Sequence, residues 1–260
     1  MSILDEIAGY ARERVRLAEG RVSLSAIRQS AFSLPKGDFA FESALRREGL
    51  SFICECKKAS PSKGIIAHDF PYVEIAREYE SAGADAVSVL TEPKYFLGRD
   101  DYLREIAEAV KIPVLRKDFV VSDYMIYEAK IMGASAVLLI CSILGGEMLR
   151  EYIMLCGELG MSALVEAHDE DEIRIALTAG ARVIGVNNRN LRDFSVDTGN
   201  AGRLREFVPH DVLFVSESGI KTANDVRAAR DSGADAVLVG EVLMRAQNKS
   251  AMLAELKSLL

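Results

Sequence analysis

Several short apolar runs of this 260-residue chain carry ionisable side chains where such groups are costly to bury. In Ile53-Cys54-Glu55-Cys56-Lys57 a two-residue period sets Glu55 and Lys57 on one face and both cysteines on the other. Leu115-Arg116-Lys117-Asp118-Phe119 puts Lys117 on the face of Leu115 and Phe119, and Leu164-Val165-Glu166 ends on a carboxylate. Val183-Ile184-Gly185-Val186-Asn187-Asn188-Arg189 adds Asn187 and Arg189 to one face. Each polar group lies toward the C-terminal end of its run. Internal ion pairs would explain any one of them. Lys57, Lys117, Glu55 and Glu166, gathered from three of these runs at one mouth, are the ingredients of general acid and base catalysis.

Two later stretches suit an anion. Ser216-Glu217-Ser218-Gly219-Ile220 runs into Lys221 and a helical pattern, and Val239-Gly240-Glu241 opens directly into another. Small residues let backbone amides approach a ligand, and helix N-termini favour negative charge. Ser218, Gly219, Gly240 and Glu241 are therefore candidate phosphate contacts. The loop Lys58-Ala59-Ser60-Pro61-Ser62-Lys63-Gly64 lacks the order of a Walker A loop, and its Ser, Pro and Gly content suits a mobile active-site loop. His168 follows Glu166 by two residues, but His68 and His210 sit in unrelated segments, so three or four metal ligands do not assemble. Neither metal nor cofactor is expected.

The elements that must position these groups repeat along the chain. Runs rich in Val, Ile and Leu recur at 52–57, 86–92, 113–119, 136–142, 162–166, 183–189, 213–219 and 236–241. A Gly-Ala pair precedes four of them, at residues 83, 133, 180 and 233, and helical periodicity fills the intervals. Strands that are apolar on both faces and joined by helices belong to a parallel sheet. Eight evenly spaced units without a dinucleotide fingerprint favour an α/β fold of the (β/α)8 TIM-barrel type over an open doubly wound sheet. Anionic contacts after strands seven and eight are where such barrels commonly hold phosphate.

Before the first strand, Ile3, Ile7, Tyr10 and Leu4, Ala8, Ala11, Val15 recur at helical spacing. Residues 1–48 thus read as an N-terminal helical extension of a single domain spanning 1–260. Its apolar face suits a cap on the barrel better than a dimer contact, so a monomer is expected. The net charge of −7 argues against a nucleic-acid binder. An opening Met-Ser-Ile-Leu-Asp-Glu does not resemble a secretory signal, and the apolar stretches are strand-sized, so no membrane association and a cytoplasmic location are expected. The four cysteines read as free buried thiols.

At these residues the chain resembles indole-3-glycerol-phosphate synthases over nearly its full length. The matching stretches are 55–64, Leu90-Thr91-Glu92-Pro93-Lys94-Tyr95-Phe96, Arg116-Lys117-Asp118-Phe119, Leu164-Val165-Glu166, 184–191 and Ser216-Glu217-Ser218-Gly219-Ile220. The resemblance implies conversion of 1-(2-carboxyphenylamino)-1-deoxyribulose 5-phosphate into indole-3-glycerol phosphate, carbon dioxide and water, without cofactor or metal. Family roles fall on Glu55, Lys57, Ser60, Lys117, Glu166, Asn187, Arg189 and Ser218. Under that reaction Lys117 is the expected general acid for ring closure. Lys57 neutralises the aryl carboxylate and assists dehydration, and Glu166 with Glu55 supplies base and hydrogen-bonding functions. Phe96, Phe119, Leu138 and Leu191 are expected to line the aromatic slot. Some relatives carry a small Ser where this chain has Glu241, whose carboxylate would repel phosphate; its backbone amide is expected to face the ligand and its side chain to turn away. A neighbouring phosphate-binding barrel such as phosphoribosylanthranilate isomerase would share the anion end but needs no paired lysines.

Overall fold

The computed structural model describes residues 3–190 and 194–260. Eight parallel strands close into the expected barrel: β1 (Ser51–Cys56), β2 (Ala86–Leu90), β3 (Val114–Lys117), β4 (Ala136–Ile140), β5 (Ser162–Ala167), β6 (Val183–Asn187), β7 (Leu213–Glu217) and β8 (Ala236–Val239). Each pairs with its sequence neighbours, and β8 returns to β1 with Ser51 opposite Ala236. Most of the expected runs overshoot the ladder by two residues. In two of these overshoots a carboxylate takes a loop amide, Glu92 that of Tyr95 and Asp118 that of Phe119.

Alternation along the strands divides the core. Ile53, Leu115, Leu164 and Val215 fill the barrel, whereas Val87, Val137, Ile184 and Val237 face the surrounding helices. Cys54 and Cys56 point outward into that helical layer, fully buried, and burial pushes the Cys54 thiol up to about 12. Such thiols are inert at neutral pH. The turn before a strand also has a repeated chemistry. Asp85 accepts the Phe52 amide at 2.9 Å and Asp235 the Phe214 amide at 2.7 Å, so the Asp that follows two of the Gly-Ala pairs satisfies the second donor of a neighbouring strand.

The N-terminal extension is three helices, α1 (Ile3–Glu19), α2 (Leu24–Ser33) and α3 (Ala40–Leu45), and it covers both ends of the barrel. Ile7 and Ala11 of α1 pack into the interior cluster from the C-terminal end, and Arg14 reaches Asp118 just beyond β3. At the opposite end Phe41 and Leu45 of α3 close the floor, where the Ser51 hydroxyl donates to the Ala44 carbonyl and Arg182 pairs with Glu42. Between them α2 packs on the outer helix Asp123–Ile131.

The outer layer comprises α4 (Tyr72–Ser81), α5 (Asp100–Ala109), α6 (Asp123–Ile131), α7 (Cys141–Leu159), α8 (Glu170–Ala179), α9 (Asn200–Leu204), α10 (Ala223–Asp231), α11 (Glu241–Arg245) and α12 (Lys249–Lys257). Each turns a stripe such as Ile75, Ala76 and Tyr79 of α4 onto the strands. Among the described residues no helix is long and apolar enough to cross a membrane.

Candidate active site

The C-terminal ends of the strands surround a cavity of about 500 Å³, roofed by Ile3, Leu4 and Ile7 of α1. Glu55, Lys57, Ser60, Phe96, Lys117, Phe119, Leu138, Glu166, Asn187, Arg189, Ser218, Gly219, Gly240 and Glu241 all line it. Leu191 lies outside the described residues. Two-residue alternation is what gathers this set: a side chain two positions beyond an interior core residue emerges at the mouth.

Lys117 sits at the centre. Its Nζ lies 3.1 Å from Glu166 Oε2 and 3.3 Å from Glu217 Oε2, and a second pair, Lys57 Nζ and Glu55 Oε1, meets at 2.6 Å. Burial alone would depress the Lys117 ammonium; Glu217, Glu166 and Glu55 more than reverse this and hold it well above the usual lysine range. The two carboxylates on Lys117 diverge. Burial favours the neutral form of each, but for Glu166 the nearby Lys117 and His168 and a hydrogen bond from Asn187 win and lower it. Glu217 is raised to about 7 by burial, with Lys117 opposing and Glu166 and Glu55 adding to the rise. Opposed shifts in neighbouring carboxyls are the signature of a pair divided between acid and base duties.

Glu217 is the main residue that the sequence reading missed. Leu213 and Val215 face the interior, so the same alternation carries Glu217 there, yet its place among Ser216, Ser218 and Gly219 made the segment read as an anion turn. Its position explains Gly185: a Cβ on Gly185 would collide with Glu217 Oε1. Gly240 is similarly constrained, since a Cβ there would stand 2.6 Å from Glu55 Oε1 and 3.1 Å from Lys57 Nζ. That glycine therefore makes room for the Glu55–Lys57 pair.

Two further missed residues shape the loops. Buried Glu92, just beyond β2, accepts the amides of Lys94, Tyr95 and Phe96 at 2.9, 2.7 and 2.9 Å and so sets Phe96 against Phe119, with ring centroids 6.0 Å apart. Buried Asn188 donates to the Ser218 carbonyl at 3.0 Å and accepts the Ala201 amide at 2.9 Å. It thereby holds Ser218 in a left-handed conformation, φ 66°, that a serine rarely adopts unaided.

At the end expected to take the anion, the start of α10 is closed by its own capping box, in which Asp225 takes the amides of Lys221 and Thr222, and Thr222 that of Asp225. Help from a helix N-terminus is thus restricted there, whereas α11 starts at Glu241 with no side-chain cap. The Glu241 carboxylate pairs with Arg245 at 3.1 Å along its own helix. Residues 58–64, expected as a loop, belong to a small antiparallel hairpin, Ala59–Ser60 against Gly64–Ile65, at the cavity rim.

A closed (β/α)8 barrel whose mouth combines a lysine between two carboxylates, a second lysine–glutamate pair and an aromatic wall defines an acid–base enzyme of the barrel class. A family model described as indole-3-glycerol phosphate synthase matches residues 4–256. An indole-3-glycerol phosphate synthase of Ruminiclostridium cellulolyticum is 55% identical over 98% of each chain, and one of Endomicrobium trichonymphae 53% identical over 98% of this chain and 99% of its own. In fold alone, the chain also resembles a 3-hexulose-6-phosphate synthase crystal structure, with a TM-score of 0.67 at 14% identity over 81% of this chain and 100% of that one. The chain belongs to the indole-3-glycerol phosphate synthase family.

Proposed function

We propose that this chain closes the indole ring of 1-(2-carboxyphenylamino)-1-deoxyribulose 5-phosphate, releasing carbon dioxide and water. The observation that carries this reading is the Lys117 ammonium between Glu166 and Glu217, in a cavity also lined by Phe96 and Phe119. Ring closure makes an alkoxide from the ketone, and Lys117 is the donor positioned to protonate it. Lys57 meets the aryl carboxylate, whose departure as carbon dioxide restores the aromatic ring, while Glu55 keeps the ammonium in place. In the dehydration that follows, Glu166 takes the ring-carbon proton and Lys57 protonates the departing hydroxyl, which leaves as water. Glu217, raised to about 7, shares the proton traffic of Lys117 near neutral pH. Phe96, Phe119 and Leu138 hold the aryl ring. Amides around Ser218, Gly219, Gly240 and Glu241, with Arg189 nearby, take the phosphate, and Ser60 closes the rim.

The chain acts as a monomer in the cytoplasm, without nucleic-acid or membrane partners. The apolar face of α1 is already spent on the barrel, which supports the monomer; analytical ultracentrifugation is the check. The central test incubates the chain with the carboxyphenylamino substrate and follows indole absorbance, with and without a chelator. Turnover unaffected by the chelator is expected. Absence of indole product from the folded chain would refute the reading.

A further inference from the structure

The His168 imidazole, one residue beyond β5, lies between two carboxylates. Its Nδ1 is 3.1 Å from Glu172 Oε2 and its Nε2 is 3.5 Å from Glu166 Oε1. Glu172 is fixed in turn, because it stands in the first turn of α8 and accepts the His168 backbone amide at 2.8 Å. The imidazole Nε2 is covered and makes no hydrogen bond among the described residues. A neutral imidazole has one N–H and one lone pair, so with a carboxylate at each nitrogen it would aim its lone pair at one of them. A doubly protonated ring offers a donor to both.

We propose that His168 is a positioning residue for Glu166: held as an imidazolium by Glu172, it presents a second cation to Glu166, at the oxygen that Lys117 does not occupy. Glu166 thereby stays ionised and oriented as a proton acceptor. The charge balance around the ring agrees. Glu166 of β5, Glu172 and the N-cap Asp169 of α8, and Glu217 of β7 lie about it; Asp5 of α1 and Asp197 line the polar cavity on its other side. The Cys141 thiol, at the start of α7, meets the Glu172 carbonyl. Lys117 meets the other oxygen of Glu166. Burial alone would ease deprotonation of the ring, but Glu172, Glu166 and Glu217 reverse this and hold it above the ordinary histidine range. The catalytic part of the proposal rests on Glu166 acting as the base of the proposed reaction; the charge state of the ring does not.

Two readouts test it. The chain has three histidines, so ring-nitrogen NMR of the intact protein resolves His168 from His68 and His210 by the signal lost in His168→Gln. The His168 ring should keep both protons to a pH above the free-histidine value near 6.5, and Glu172→Gln should lower that midpoint by about one unit. In the indole assay, the acid limb of kcat for His168→Gln should move up by about one pH unit, as Glu166 loses a neighbouring cation. Its kcat at pH 7 should fall severalfold, while KM stays within twofold. A ring that is neutral by pH 6 would overturn the proposal, as would a kcat–pH curve superimposable on that of the parent chain. If His168→Gln does not fold, Glu172→Gln carries both measurements. If the parent chain forms no indole, the reaction assignment fails and the titration alone decides the state of the ring.

Discussion

Lys117 illustrates a conflict at the scale of single residues, since the carboxylates that keep it charged also resist release of its proton. A carboxyl partner that titrates near neutrality relieves that conflict, and Glu217, raised to about 7, is such a partner. Lys117→Met should reduce ring closure by at least about a thousandfold while far-ultraviolet circular dichroism stays unchanged, because it removes the donor at similar volume. Turnover near that of the parent chain would remove Lys117 from the role. Glu166→Gln should slow a step after closure; single-turnover kinetics that show only weakened binding would make Glu166 a positioning residue. Glu217 also leaves a mark on stability. Its folded value, about 7, lies above its ordinary 4.5, so the folded chain keeps a proton that the unfolded chain releases. Its stabilising contribution is full below pH 4.5 and is lost as pH rises through about 7. Glu217→Gln cannot titrate, so its melting temperature relative to the parent chain should improve by about 3 °C or more between pH 5 and pH 8. A pH-independent difference would count against the buried, raised carboxyl.

Among the elements, α1 does the most to turn an open barrel mouth into a site, and one ion pair ties it down. Arg14 donates to both oxygens of Asp118, at 3.1 and 2.7 Å, and Asp118 is fully buried one residue after Lys117. Burial pushes the Asp118 carboxyl up, but Arg14 and Arg116 outweigh it and hold it below its ordinary value. Arg14→Met leaves that charge with Arg116, Thr91 and the Phe119 amide, so a loss of about 1–3 kcal/mol is expected, smaller than for a buried carboxylate left without any partner. Substrate KM should also rise severalfold as α1 loosens over the mouth; unchanged KM with lowered stability would show that α1 only braces the barrel. A contact across 104 residues of sequence illustrates what could not be read from the chain. Alternation within a strand is local, so the eight strands, the outward cysteines and the cluster of Glu55, Lys57, Lys117 and Glu166 were legible. Glu92, Asn188 and His168 work by bonding to loop amides, to a strained turn or to a side chain on the next helix. Their roles exist only once the tertiary fold has brought those partners near. Glu217 lay within reach of the alternation argument and was hidden by its small neighbours.

For the molecule as a whole, the problem is to hold a phosphate dianion in a chain of net charge −7. Long-range attraction does not favour it, so binding must come from short-range donors whose cost was met when the chain folded. The mouth between β7 and β8 has the means: the turn at Ser218 and Gly219, the uncapped start of α11, and Lys221 and Arg245 on its wall. If those amides bind phosphate, inorganic phosphate should compete with substrate and stabilise the folded state by mass action, by about 1.4 kcal/mol at ten times its dissociation constant. For a chain of this size that is a rise of about 3 °C in melting temperature. Gly219→Val should abolish the rise and increase KM sharply. Its φ of 92° suits glycine, and a Cβ there would meet Thr198 at 2.7 Å, so the turn must distort. Gly240→Ala should lower kcat as well as affinity, since its Cβ strikes the Glu55–Lys57 pair before it meets any ligand. Glu241→Gln separates the amide from the side chain. With its carboxylate already turned onto Arg245, the substitution should change phosphate affinity by less than about threefold, the scale of an exposed ion pair. A large gain in affinity would mean that the carboxylate faces the anion, and a phosphate-induced rise that survives Gly219→Val would move the anion site away from β7 and β8 altogether.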